Sequence, residues 1–172
     1  AVTSTKLTSI AAAGATSINV ISTSGWAVGN TIGIAPSWNN AYEYESVTIT
    51  ALTSTSVAFT SALNFSHYGE AYPFNNSYGT IDQRAAVGVF DRNIKILSGA
   101  DQNGWGYGVL IYAWVDSDNF INTGTGIIQG VEFVTGGQYD TLNAAFNVIN
   151  TNAGNENTIV SGSSFHYCHD YC

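Results

Sequence analysis

Apolar and polar residues alternate along the first half of the chain with a period of two. Between Tyr44 and Leu52 the odd positions Glu45, Val47 and Ile49 share one face, and Ser46, Thr48 and Thr50 share the other. That is the pattern of a strand with one side buried. Similar short runs of Val, Ile, Thr, Phe and Tyr predict strands over residues 3–10, 17–21, 31–34, 44–52 and 56–60. Gly14, Gly25-Trp26, Gly29-Asn30 and Asn39-Asn40 supply the turns between them. Helix signals are nearly missing. Residues 10–15 are rich in Ala, but Gly14 breaks the run.

From about Ala85 the pattern changes into a repeat. Ile127-Ile-Gln-Gly-Val-Glu-Phe133 matches Ile159-Val-Ser-Gly-Ser-Ser-Phe165, and Phe90-Asp-Arg-Asn-Ile-Lys-Ile96 can be laid over both. Apolar strands at residues 109–112 and 144–149 lie between them. Matching elements thus return every ~30–40 residues, the signature of a stacked solenoid with strands as its unit. The predicted architecture is all-β: a β-rich module over residues 1–80, running into a right-handed parallel β-helix over residues 81–172. Aliphatic side chains would fill the coils, with Gly and Asn at the corners. Coils of this kind do not end themselves, so we expect the chain to be a segment of something longer.

Composition narrows the partners. Of 172 residues 45% are hydrophobic, so a core is expected, while only 9% are charged. Ser, Thr, Asn, Gln and Tyr must carry the surface. The net charge is −8 and the basic residues are Lys6, Arg84, Arg92 and Lys95. Nucleic acid is excluded as a partner, because phosphate needs a basic footprint. Anionic membranes are disfavoured for the same reason, and no apolar run is long enough to insert in a bilayer. Strongly anionic polysaccharides would be repelled too.

Several residues carry candidate chemistry. Asn64 and Asn75 each open an Asn-x-Ser acceptor pattern for N-glycosylation. Cys168 and Cys172, the two cysteines, are disulfide candidates, either with each other or with partners outside the segment. The cluster His166-Tyr-Cys168-His169-Asp170-Tyr-Cys172 also contains metal-ligand residue types, but disulfide chemistry competes and we expect no metal and no cofactor. Asp116-Ser-Asp118-Asn119 looks like the start of a calcium loop and lacks its glycine and closing glutamate, so it reads as a polar turn. Glu43 and Glu45 are two apart, a spacing that two catalytic carboxylates could use, yet Glu45 shares a face with Val47 and Ile49 and reads as a buried, hydrogen-bonded acid. His67 reads as a satisfied histidine. Among the aromatic residues, Trp26 reads as core. Trp38 and Tyr42, beside Pro36 and Asn39-Asn40, are expected in an exposed loop where they could stack on sugar rings.

Three segments of the first part resemble a G8 domain, an all-β module named for its glycines: Gly25-Trp-Ala-Val-Gly29-Asn-Thr-Ile-Gly-Ile34, Glu43-Tyr-Glu45-Ser-Val-Thr-Ile49 and Leu63-Asn-Phe-Ser-His67-Tyr68-Gly69. Arg92-Asn-Ile-Lys-Ile96, Val131-Glu-Phe133 with Gly137-Gln138, and Ser164-Phe-His166 resemble the β-helix that follows it in fibrocystin-like and hyaluronan-binding cell-surface proteins. The resemblance implies an extracellular location and glycan contact. The basic residues of a hyaluronan-binding surface are scarce here, and no catalytic residue is carried over. The expected function is therefore non-enzymatic: an extracellular structural or adhesive segment of a large surface or filament-forming glycoprotein, contacting glycans or other copies of itself. The alternatives are a carbohydrate-binding module and a fragment of a β-helix polysaccharide hydrolase or lyase. The enzyme would draw on Asp91, Asp116, Glu132 or Asp140.

Overall fold

The computed structural model describes residues 2–70, 82–97, 109–115, 121–123, 126–138, 144–149 and 158–168, with backbone alone for 109–115, 121–123 and 148–149. Asn75, Asp116, Asp118, Asn119, Asp140, His169, Asp170 and Cys172 lie outside the described residues. The chain is all-β and forms two compact units, Ala1–Asp91 and Arg92–Cys172.

The first unit contains β1 (Ser4–Lys6), β2 (Ser17–Asn19), β3 (Thr31–Ile34), β4 (Glu45–Leu52), β5 (Ser56–Phe59) and β6 (Ala86–Val89). The predicted division after residue 80 falls in the stretch outside the description. β6 belongs with the first unit, because it pairs antiparallel with both β1 and β3. The strand order is β1-β6-β3-β4-β5-β2. The two outer strands then meet: Leu7 and Val20 form an antiparallel bridge, Thr8 N–H donates to Asn19 O and Ile21 N–H to Lys6 O. The sheet thereby closes into a small antiparallel barrel, which leaves no free edge among the described strands of this unit.

Alternation then decides what fills it. In β4 the buried residues are Glu45, Val47 and Ile49, as the period of two predicts, and Ser46, Thr48 and Thr50 are exposed. Ile32, Ile34, Val57, Phe59, Val87, Leu7 and Val20 complete the interior. Trp26 joins this core as expected, and its indole N–H donates to Val2 O at 2.6 Å. Gly69 sits where the chain returns past β1. A methyl group there would lie 1.9 Å from Ser9 O, so only glycine fits.

The second unit contains β7 (Ile94–Leu97), β8 (Val109–Val115), β9 (Ile121–Thr123), β10 (Ile127–Gln129), β11 (Val131–Val134), β12 (Phe146–Ile149), β13 (Ile159–Ser161) and β14 (Ser164–His166). Strands far apart in sequence pair in parallel: β7 with β11, β11 with β14, β8 with β12 and β10 with β13. This is the stacking of a parallel β-helix. The registers follow the sequence repeat residue by residue. Ile127 faces Ile159, Phe133 faces Phe165, and Ile96 faces Phe133. One hairpin was not anticipated: β9 folds back antiparallel on β8.

The repeat extends to backbone conformation. Gly130 and Gly162 take left-handed φ values of 65° and 57° at equivalent corners. Thr135 and Tyr167 do so at the next corner, both at 55°. Inside, the rings of Phe133 and Phe165 stack with centroids 4.6 Å apart and planes 1° from parallel, and Phe146 tilts against both. Such a pair adds ~0.5–1.5 kcal/mol beyond the burial of its area.

Candidate functional site

The loop between β3 and β4 gathers three exposed aromatic residues of the first unit, Trp38, Tyr42 and Tyr44. Its geometry is set by capping. Asn40 precedes a short 3-10 turn, Ala41–Glu43. Its Oδ1 accepts from Tyr42 N–H at 3.1 Å, and its amide donates to Glu43 Oε1 at 3.3 Å. The side chain thus satisfies a backbone donor that the turn leaves open. Upstream, Ser37 Oγ accepts from Tyr68 N–H at 2.6 Å and ties the loop to the barrel. Held in this way, Trp38 is 70% exposed, Tyr42 89% and Tyr44 52%. Three large aromatic side chains within seven residues turn toward water, where burial would have stabilised each by ~1.5–3 kcal/mol. An aromatic ring offers a flat apolar face and, in Tyr and Trp, a polar edge. That pairing matches a sugar ring, with its C–H face and hydroxyl rim.

Beneath this loop lies a buried acid. Glu45 Oε1 accepts from Asn64 N–H at 2.7 Å and from the Asn64 amide at 3.1 Å. Its Oε2 accepts from Phe65 N–H at 3.1 Å and from His67 Nε2 at 2.9 Å. His67 is fully buried, and its Nδ1 lies 3.0 Å from Ala35 O. A carboxylate has no hydrogen to give, so the ring nitrogen facing Glu45 is the donor of that bond. Burial opposes ionisation of Glu45. The N–H groups of Asn64 and Phe65, the His67 ring and the Asn64 amide outweigh it and hold the carboxyl below the usual range. Glu43 and Glu45 therefore serve separate structures, and no open carboxylate pair forms. The sequence pattern pointed to a buried, bonded Glu45. It carried no sign of His67 as its partner, because the contact spans a turn of chain without regular periodicity.

The second unit holds a related cluster on strands of three coils. Glu132 on β11 is 3% exposed. Its Oε1 meets His166 Nε2 at 2.9 Å, and its Oε2 meets Lys95 Nζ at 2.9 Å and Arg92 N–H at 3.1 Å. Burial again opposes ionisation, and Lys95, the Arg92 N–H and His166 together lower the carboxyl below its usual range. An acid held ionised and filled with donors is poorly placed to give a proton. Asp91, the other described candidate for the enzymatic alternative, accepts from Thr31 N–H.

The four basic residues are all engaged within the fold. Lys6 and Arg84 meet Asp82 at 3.1 and 2.9 Å, Lys95 meets Glu132, and Arg92 Nε donates to Gly162 O at 2.6 Å. Asp82 is held far below the ordinary carboxylate range, chiefly by the Arg84 guanidinium. Among the described residues no group of three His, Cys, Asp or Glu side chains is arranged to hold a metal ion, and no helix is long and apolar enough to cross a membrane. Cys168 is disulfide-bonded. Asn64 is exposed, and an N-linked sugar would leave one amide hydrogen for its bond to Glu45.

No family model matches the chain, and no curated protein does. Among solved structures it is similar to three phage tailspikes. The tailspike gp49 of Pseudomonas phage LKA1 is 18% identical over 99% of this chain and 28% of its own, with a TM-score of 0.43. Tailspike Gp54 of Acinetobacter baumannii bacteriophage AP22, in complex with a capsular saccharide, is 15% identical over 84% of this chain and 22% of its own, with a TM-score of 0.37. Tailspike gp61 of Pseudomonas phage phi297 is 10% identical over 87% of this chain and 28% of its own, with a TM-score of 0.38. The chain thus spans about a quarter of the length of each.

Proposed function

We propose that this chain is a glycan-contacting, non-catalytic segment of a larger extracellular or surface protein, with the G8-like reading of its barrel as part of the proposal. One observation carries it: Trp38, Tyr42 and Tyr44 are held open to solvent by a capped turn. Each of the four basic side chains is already engaged by a carboxylate or a carbonyl of the chain, so the surface suits uncharged sugars better than anionic ones. Asn64 and Asn75 would carry glycans of their own. A glycan array, followed by titration of Trp38 fluorescence, tests this reading. Neutral oligosaccharides should bind and Trp38→Ala should weaken them at least tenfold. Absence of any saccharide binding would sink it.

Contact with other copies is the second part of the proposal. Ile127 and Ile159 lie in register on β10 and β13 and are 66% and 44% exposed, an apolar stripe on the outside of the coils. Sedimentation at rising concentration tests it, with Ile127→Ser expected to abolish association. A hydrolase or lyase finds less support, since both described acids that it would use already serve the fold.

A further inference from the structure

We propose that the outer wall of the barrel carries a subsite for one uncharged hexopyranose ring, in a cleft built over Gly33 and Gly88. The proposal rests on the glycan-contacting reading above and gives it a place and a ligand class.

The cleft follows from strand register. Ser4 faces Gly88, Gly88 faces Gly33, and Gly33 faces Ser46, so these residues form one row across four strands on the outer face. In the next row Lys6 faces Ala86, and Ala35 N–H donates to Ala86 O. Four neighbouring outward positions on β3 and β6 and just beyond them thus carry a hydrogen or a methyl group. On a barrel wall such positions normally bear longer side chains, because β-branched and aromatic residues suit pleated surfaces. Their loss leaves a cleft of about 260 Å³. Phe90 and Tyr44 also line it.

The two glycines have different tasks. A methyl group on Gly33 would sit 2.2 Å from the ring of Phe90, so Gly33 is what lets that ring lie against the sheet. At Gly88 the nearest atoms to an added methyl are Thr3 O at 3.6 Å and Ser4 Cβ at 3.9 Å. Space at Gly88 is open, and the fold itself does not require glycine there.

The lining selects the ligand. Flat aromatic rings and a small-residue floor suit the C–H face of a pyranose, and the Ser4 hydroxyl offers a hydrogen bond at the edge. None of the lining residues is charged. The nearest cation in the register, Lys6, is bound to Asp82. A carboxylated or sulfated sugar would find no counter-charge in a chain of net charge −8. Tyr44 also ends the loop that exposes Trp38 and Tyr42, so one chain segment joins the aromatic loop to the cleft.

Saturation-transfer NMR on the full chain tests this, with methyl glucoside, methyl galactoside, methyl mannoside and N-acetylglucosamine as probes and glucuronate as the anionic arm. At least one neutral probe should receive saturation, and glucuronate should not. Gly88→Val and Tyr44→Ala should each weaken binding at least tenfold. If Gly88→Val fails to fold, Gly88→Ala, whose methyl makes ordinary contacts, takes its place. Saccharide binding that survives filling the cleft but is lost in Trp38→Ala would overturn the subsite and leave the broader function standing. Wild-type protein that binds no saccharide of any length would overturn both. A cleft-filling variant that changes self-association and leaves sugar binding intact would make the occupant a second copy, and the subsite would be wrong.

Discussion

Each unit buries a glutamate and brings a histidine to it at 2.9 Å, yet the two clasps are built differently. In the barrel, Glu45 is gripped by donors from one short stretch, Asn64, Phe65 and His67. The histidine there, His67, is fully buried. In the coils, the partners of Glu132 come from successive turns of the solenoid, and one of them is a cation, Lys95, whose side chain is 42% exposed. The barrel clasp locks a loop over one end of a closed sheet. The coil clasp is a rung shared by stacked strands. Among the described residues the lock has no lysine or arginine on its carboxylate and fails when the buried histidine goes, whereas the rung retains Lys95 beside Glu132. The difference follows from topology: a closed barrel must secure a loop locally, and a solenoid can place like positions above one another.

The largest effect expected from this contrast is on stability. His67→Ala removes a fully buried ring and takes one hydrogen bond from the buried Glu45 carboxylate, and should cost about 3–5 kcal/mol. His166→Ala leaves Lys95 and the Arg92 N–H on Glu132 and should cost about 1–2 kcal/mol. Hydrogen exchange read by mass spectrometry separates the units, because peptides from each report their own opening. Equal losses of protection in the two variants would break the comparison.

Acid should sharpen it. Glu45 and Glu132 are both held below the ordinary value of 4.5. A depressed carboxylate contributes stability that is fully present above its unfolded value and is lost as pH falls through the folded one. Both clasps should therefore weaken below about pH 4.5. Peptides spanning residues 45–52, 63–69 and 131–134 should all lose protection as pH falls below that value. Protection that holds unchanged in either unit would contradict a stabilising role for its clasp.

Much of this was legible in the sequence, and the reasons are specific. The repeat from Ile127 to Phe133 and from Ile159 to Phe165 is the pairing register itself, since in-register stacking places like residues over like. The alternation in β4 placed Glu45 inside because period two has one solution there. Trp38 and Tyr42 were placed on the surface by the turn residues beside them. Barrel closure was not legible. It depends on one bridge between Leu7 and Val20, and a single bridge leaves no periodic trace. The Glu132 cluster was half visible: Glu132 stood among the candidate acids, but Lys95 and His166 meet it only once the coils stack. The cleft was hidden for the same reason, because Gly33 and Gly88 become neighbours only through the pairing of β3 with β6.

A smaller effect separates the corners of the coils. Gly130 and Thr135 both adopt left-handed φ. Glycine does so freely, while a β-branched residue crowds its own backbone. Thr135→Asn should therefore stabilise the second unit by about 1 kcal/mol, and Gly130→Ala should destabilise it by about as much. Thermal unfolding of both variants measures this. Loss of stability in Thr135→Asn would mean that the Thr135 hydroxyl, which donates to Val134 O at 2.7 Å, outweighs the backbone strain.

The smallest stability changes should come with the largest functional ones. Trp38 and Ile127 both face solvent, one from the barrel loop and one from the coils. Substituting either by serine should move stability by no more than ~0.5 kcal/mol, since neither fills the core. Their functional consequences should cross. Trp38→Ser should weaken neutral-glycan binding and leave sedimentation unchanged, because the proposed stacking needs its exposed ring. Ile127→Ser should abolish self-association and leave glycan binding unchanged, because it interrupts the apolar stripe shared with Ile159. If both variants lost both properties, the two surfaces would be acting as one, and the division of labour between barrel and coils would have to be abandoned.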